Sequence, residues 1–149
     1  TFYEEGKLPL NAPISNWLPQ FKDMKVGKVD ADGNLTTVPA KNPITVQDLM
    51  RHTNGLTYGG RGATPVHKFY PAGSAPAAMQ YTSAEFIDKI ASAPLLYEPG
   101  TVWDYGFGLD VLGIIEDVVN ATGLNHATVL HHCNAVAQVG NHTEVVSYQ

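Results

Sequence analysis

The sequence predicts an α+β domain dominated by helices, on three observations. Thr45 and Thr82 are capping residues, each followed three positions later by a carboxylate, Asp48 and Glu85, at the head of a run with helical spacing. A third run, after Gly108, places Val111, Leu112, Ile115, Val118 and Val119 within one arc and Asp110, Glu116, Asp117 and Asn120 on the opposite side. The sheet signal is a small hairpin, with Asp32-Gly33 between two short runs rich in valine and threonine.

In chain order, "FYEEG" reads as the last turn of a helix closed by Gly6 in a left-handed cap, an entry in mid-helix that implies an upstream segment. Prolines at 9, 13 and 19 exclude a long helix over residues 7–21 and favour extended chain with one short turn, from which Trp17, Leu18 and Phe21 dock onto a core. The hairpin follows. Thr45 then caps a helix through "VQDLMRH", with Asp48 at the positive end of its dipole and Gly55 closing it. Residues 57–81, rich in Gly, Pro and Ala without a sustained period, read as a long surface loop of the kind that borders a binding site. The "TSAE" box at Thr82 opens a helix whose Phe86, Ile87 and Ile90 share a face, and Pro94 marks its end. Pro99-Gly100 suits a type II turn, because proline sets the first φ and glycine accepts the positive φ that follows. Gly123 terminates the third helix.

Composition narrows the function. At 149 residues one domain is expected, and a formal net charge of −5 disfavours nucleic acid and anionic membrane surfaces as partners. No apolar run approaches the roughly 20 residues of a membrane-spanning helix. Cys133 is the single cysteine, so no intrachain disulfide and no thiolate cluster is available, and the redox compartment stays open. His131, His132, Cys133 and His142 fit no familiar zinc spacing, so neither a metal nor a cofactor is expected.

The chemistry-bearing candidate is Tyr105, in "EPGTVWDYGFGLDVLG". The turn at Pro99-Gly100 reverses the chain, Val102 and Trp103 lead extended into the tyrosine, and Gly106 and Gly108 are expected to leave the backbone uncrowded for a substrate. Taken alone, these features read first as a tyrosine that plugs the core.

Two stretches together change that reading. "ITVQDLMRHTNGL", residues 44–56, resembles the helix ending in a His-Thr-Ser-Gly-Leu turn of the serine hydrolases related to class C β-lactamases, D-alanyl-D-alanine carboxypeptidases and similar esterases, with Asn54 where serine is usual. "YEPGTVWDYGFGLDVLGIIEDVVNATG", residues 97–123, resembles the same family's Pro-Gly turn, tyrosine and apolar helix, and "EEGKLPLNAPISNWLPQF" resembles the segment after its nucleophile helix. The resemblance implies a β-lactamase/transpeptidase-like fold, represented here mainly by its helical subdomain with long loops and the small hairpin. Residues 1–123 would form a partial domain and residues 124–149 an unmatched tail, as in a truncated, misspliced or frameshifted product. It also implies that Tyr105 is the catalytic tyrosine of the Tyr-x-Asn or Tyr-Ser-x motif, that His52 is a scaffold residue, and that Phe107 stands where many relatives hold a substrate-touching asparagine. An esterase-like reading is therefore favoured over a penicillin-hydrolysing one.

The family's nucleophile is a serine followed three residues later by lysine. Ser15, Ser74, Ser83 and Ser92 are followed at that spacing by Leu18, Ala77, Phe86 and Leu95, and Ser147 has no residue there. A tyrosine acting as a base at neutrality must also be brought down from near pH 10, which takes about 4 kcal/mol of help from cations. Its sequence neighbours Glu98, Asp104 and Asp110 are anions. The expectation is a fragment of an acyl-serine hydrolase, inactive as an isolated chain, whose complete form acts on a small-molecule ester, amide or lactam. The competing reading, from another class, is a non-enzymatic helical interaction module of a degenerate paralogue, and the residues leave the oligomeric state open.

Overall fold

Chain order and local chemistry account for each element of the computed structural model, which describes residues 4–123. The unmatched tail and its His131, His132, Cys133 and His142 lie outside the described residues. After Gly6, at φ +70°, the proline-rich segment makes two single 3-10 turns, Ile14–Asn16 and Pro19–Phe21. Ile14, Leu18 and Phe21 are buried and Trp17 is half-buried. The hairpin pairs β1 (Lys25–Val29) with β2 (Leu35–Pro39) antiparallel, with Val29 opposite Leu35.

Its loop is five residues rather than a two-residue turn. The Asp30 carboxylate organises it, accepting from the amides of Asp32 and Asn34 and from the Asn34 side chain at 3.0, 2.8 and 3.0 Å, with Gly33 at φ +86°. The other edge of β1 is bonded to residue 95, where the Gly27 amide donates to the Leu95 carbonyl at 2.8 Å and the Leu95 amide to the Lys25 carbonyl at 2.7 Å. That edge seats Val26 and Leu95, both buried, in the core.

Helix α1 (Val46–Arg51) is opened by the expected cap, as the Thr45 hydroxyl accepts from the Asp48 amide while the Asp48 carboxylate accepts from the Thr45 amide at 3.1 Å. It ends earlier than Gly55. His52 takes the left-handed conformation, φ 56°, so a histidine fills the role expected of the glycine. The segment read as a loop over residues 57–81 holds two 3-10 turns, Gly59–Arg61 and Pro65–Phe69, and a helix, α2 (Ser74–Gln80). Helix α3 (Ser83–Ser92) has the full capping box at Thr82 and Glu85 and buries Phe86, Ile87 and Ile90. After the turn at Pro99-Gly100, where glycine has φ +83°, helix α4 (Gly108–Gly123) buries Val111, Ile115 and Val119, one residue per turn, against α1.

One core cluster runs through these elements apart from the 3-10 turn Gly59–Arg61, which buries no residue. Its aromatic centre is Phe107, fully buried, with the rings of Tyr58, Phe86 and Tyr70 at 4.5, 5.2 and 6.4 Å. The Tyr70 hydroxyl donates to the Pro94 carbonyl at 3.0 Å, and burial pushes its phenol well above the usual tyrosine range.

Candidate active site

The two sequence stretches singled out above lie side by side. The Leu96 amide donates to the Gly55 carbonyl at 2.8 Å, the Gly100 amide to the Thr53 carbonyl at 2.8 Å, and the Asp104 amide to the His52 carbonyl at 2.9 Å. Residues 96–104 therefore run along the His-Thr-Asn-Gly turn and deliver Tyr105 to the head of α4.

Asp48 holds that turn in shape. Its carboxylate accepts from the Thr45 hydroxyl at 2.6 Å, the Thr53 hydroxyl at 2.7 Å and Arg51 at 3.3 Å. Burial works against its charge, but the hydrogen bonds from Thr45, Thr53 and Arg51 outweigh it and keep the carboxyl below the usual carboxylate range. Asn54, fully buried, donates to the Asp48 carbonyl at 3.2 Å and accepts from the Leu56 amide at 2.8 Å. The residue standing in for serine is thus a satisfied scaffold side chain, in keeping with a structural role for the whole turn.

The glycines after Tyr105 serve packing rather than substrate approach, which corrects the sequence expectation. A Cβ on Gly106 would stand 2.4 Å from the Leu56 carbonyl oxygen, and one on Gly108 would stand 2.5 Å from Asn54 Nδ2 and 2.8 Å from the Leu49 carbonyl oxygen. Both positions are where α4 and the turn press together. Phe107 belongs to the same packing, so its side chain occupies the core and presents nothing to a substrate.

Tyr105 itself is 41% exposed. The His52 ring lies 4.6 Å from its ring and the Tyr58 ring 5.6 Å, edge-on. The Tyr58 hydroxyl shares a hydrogen bond with Ser74 Oγ at 2.9 Å and donates to the Asp110 carboxylate at 3.4 Å. Burial raises the Tyr58 phenol above its ordinary value, the Asp110 charge and Tyr105 add to this, and the Ser74 hydrogen bond partly offsets it. Tyr58 is therefore a hydroxyl, not a phenolate, at neutral pH.

The anions feared from sequence are placed elsewhere or answered. The Glu98 carboxylate accepts from the amides of Lys41 and Asn42, Asp110 meets Tyr58, and Asp104 stands 3.8 Å from Arg61. The Arg61 guanidinium lies 5.8 Å from the centre of the Tyr105 ring, a cation–π distance. Sequence reasoning singled out neither Tyr58 nor Arg61. The available signal was weak, a tyrosine and an arginine among glycines just after the family turn. Three buried polar atoms around Tyr105, His52 Nδ1, Thr57 Oγ1 and Asp104 Oδ2, have no hydrogen-bond partner among the described residues. Such groups are rare in cores, and their concentration here marks this as the least self-satisfied part of the described residues.

The family model named Beta-lactamase matches residues 1–122. The chain belongs to the beta-lactamase family. Esterase EstB of Burkholderia gladioli is 35% identical over 119 residues, covering 79% of this chain, and Protein Rv1367c of Mycobacterium tuberculosis is 36% identical over 116 residues, covering 75%. Among solved structures of this beta-lactamase fold, EstCE1, a hydrolase with promiscuous acyltransferase activity, superposes with a TM-score of 0.61 at 30% identity over 93% of the chain. Unliganded simvastatin synthase from Aspergillus terreus gives 0.60 at 25% identity over 80%. The chain spans 27% of the length of the first two relatives, and 32% and 30% of the two structures. Esterases and acyltransferases thus surround it within the beta-lactamase family, and the fold class is β-lactamase/transpeptidase-like, represented by helices and one small antiparallel hairpin. No helix among the described residues is long and apolar enough to cross a membrane.

Proposed function

We propose that residues 1–123 are the part of an acyl-serine hydrolase that carries its proton-shuttling tyrosine, Tyr105, and one rim of the substrate cleft. The observation that carries this reading is the placement of Tyr105, half-exposed at the head of α4, with Tyr58 and the Arg61 cation against its ring in a chain of the beta-lactamase family. The nucleophilic serine and its lysine come from polypeptide outside these 149 residues, since no serine of the chain has lysine at the required spacing. In the complete protein the serine proton passes to the Tyr105 oxygen as Oγ attacks the carbonyl carbon of a small acyl substrate, an ester in preference to a lactam. The same proton passes from Tyr105 to the departing alkoxide or amine, leaving an acyl-serine that water or another acceptor then cleaves. Tyr58, held protonated, is a hydrogen-bond donor within the site throughout.

The isolated chain has no hydrolase activity on this reading, and residues 124–149 lie outside the catalytic domain. With p-nitrophenyl acetate the 149-residue chain is expected to match the buffer rate, and a fluorophosphonate probe to leave its serines unlabelled. Labelling of any of them overturns the claim of inactivity. In a longer polypeptide that supplies Ser-x-x-Lys, Tyr105→Phe should lower kcat by roughly 10^3 with little change in KM. A fall of less than tenfold would remove Tyr105 from the chemistry.

A further inference from the structure

Beyond Tyr105 the same strip of chain carries a large side chain that the mechanism does not use. Trp103 is 63% exposed, an unusual state for a residue with so much apolar surface. Its ring meets His52 edge-on at 6.2 Å, and its Nε1 has no hydrogen-bond partner among the described residues. Residues 102–105 carry no regular secondary structure, and Trp103 and Tyr105 are both exposed on either side of a half-buried Asp104. Asp104, between them, is turned toward the protein, with its amide on the His52 carbonyl and its carboxylate near Arg61. The His52 ring touches both neighbours, at 6.2 Å from Trp103 and 4.6 Å from Tyr105. Indole, imidazole and phenol thus form one aromatic ledge, with the phenol at one end and the bare indole at the other.

We propose that Trp103 is a specificity-determining residue, the platform on which a flat aromatic or conjugated group of the acyl substrate lies while the carbonyl stands at Tyr105. The inference rests on the reading of Tyr105 given above and adds the substrate class. Both rings lie against the one His52 ring, so a single ester that carries a flat group beside its carbonyl reaches both ends of the ledge. A bulky saturated chain would cover the indole less completely than a planar ring, which favours aromatic and conjugated esters over short aliphatic ones.

The 149-residue chain itself tests this, because the experiment reads binding and not turnover. In 15N-labelled protein the indole N–H signal of Trp103 is assigned against Trp17→Phe and followed during titration with 2-naphthyl acetate, with ethyl acetate as the control. Tyr105 ring signals, assigned against Tyr105→Phe, are followed in parallel. A saturable shift at both residues with the naphthyl ester, and none at Trp103 with ethyl acetate, is expected. Trp103→Ala should weaken naphthyl ester binding by about two- to tenfold and Trp103→Phe should recover most of it. Movement at Tyr105 without movement at Trp103, or unchanged affinity in Trp103→Ala, overturns the platform and leaves the Tyr105 reading standing. Silence at both residues overturns the platform, while Tyr105→Phe in the longer polypeptide decides the Tyr105 reading separately. A Trp103 signal that shifts with protein concentration before any ester is added assigns the indole to contact between copies instead, and also overturns the platform.

Discussion

The turn at residues 52–56 and the loop at residues 57–72 both border Tyr105, but they are held by different forces. The turn is fastened by side chains reaching short distances back to the backbone, with Asp48 gripping Thr45 and Thr53, and Asn54 bonding both the Asp48 carbonyl and the Leu56 amide. The loop is closed by its own backbone, through the Gly59 amide on the Pro71 carbonyl at 2.7 Å and the Gly60 amide on the Ala72 carbonyl at 3.2 Å, with His67 buried inside it and bonded to Thr64. The rigid turn carries no reacting group of its own. The loop supplies Tyr58 and Arg61. On the proposed function, scaffold and chemistry are divided between two adjacent segments, and a site can vary its loop side chains without disturbing the frame that aims the tyrosine.

Substitutions that strike one segment and spare the other test this division. The largest effect is expected in the turn, from Gly55→Ala. Gly55 has φ +80°, and a Cβ there would stand 2.3 Å from the Tyr97 carbonyl oxygen, a backbone atom that cannot step aside. A loss of about 3 kcal/mol or more in urea unfolding is expected, and a loss below 1 kcal/mol would show that the turn is not rigid.

Asp48→Asn comes next, at about 2 kcal/mol near neutral pH, for the loss of charge-assisted hydrogen bonds to Thr45 and Thr53. The Asp48 carboxyl is lowered in the fold, so its contribution is fully present above the unfolded value of about 4 and fades as pH falls through the lower folded value. The stability gap between wild type and Asp48→Asn should therefore be constant above about pH 5 and close on acidification. A gap that widened in acid would reverse the assigned sign.

The smallest effect belongs to the loop. A Cβ on Gly62 would meet the His67 ring at 2.4 Å, but Gly62 is in ordinary extended conformation and a side chain can give where a carbonyl cannot. Gly62→Ala should cost about 1 kcal/mol, with amide exchange accelerated over residues 59–72 and unchanged over residues 52–56. Acceleration in both segments would merge them into one cooperative unit.

How much of this was legible in the sequence follows from the range of the forces involved. The caps at Thr45 and Thr82, the buried stripe of α4 and the Pro-Gly turn are local devices that act within four residues, and the structure shows each of them. The end of α1 was misplaced because the left-handed position went to His52, whose ring is lodged between Trp103 and Tyr105, and only the fold supplies those neighbours. Helix α2 was missed because Gly73 offers no side-chain cap and Pro76 interrupts its pattern. The roles of Gly106 and Gly108 were misread for a similar reason, since the atoms that crowd them belong to Leu49, Asn54, Leu56 and Thr57, roughly fifty residues earlier in the chain.

What the sequence determined by itself was therefore the inventory of elements with local signals, the family resemblance carried by the turn at 52–56 and by the run through Tyr105, and the absence of a serine with lysine at catalytic spacing. The tertiary structure alone decided which charges face Tyr105, turning Glu98 to the 41–42 amides and bringing Arg61 over the ring. It also decided that Tyr58 joins the site through Ser74 and Asp110, and that Trp103 stays bare. The physical reason is that capping and periodicity are written within a few residues, whereas the electrostatics of a site sum over groups that only the packed core brings within a few ångströms of one another.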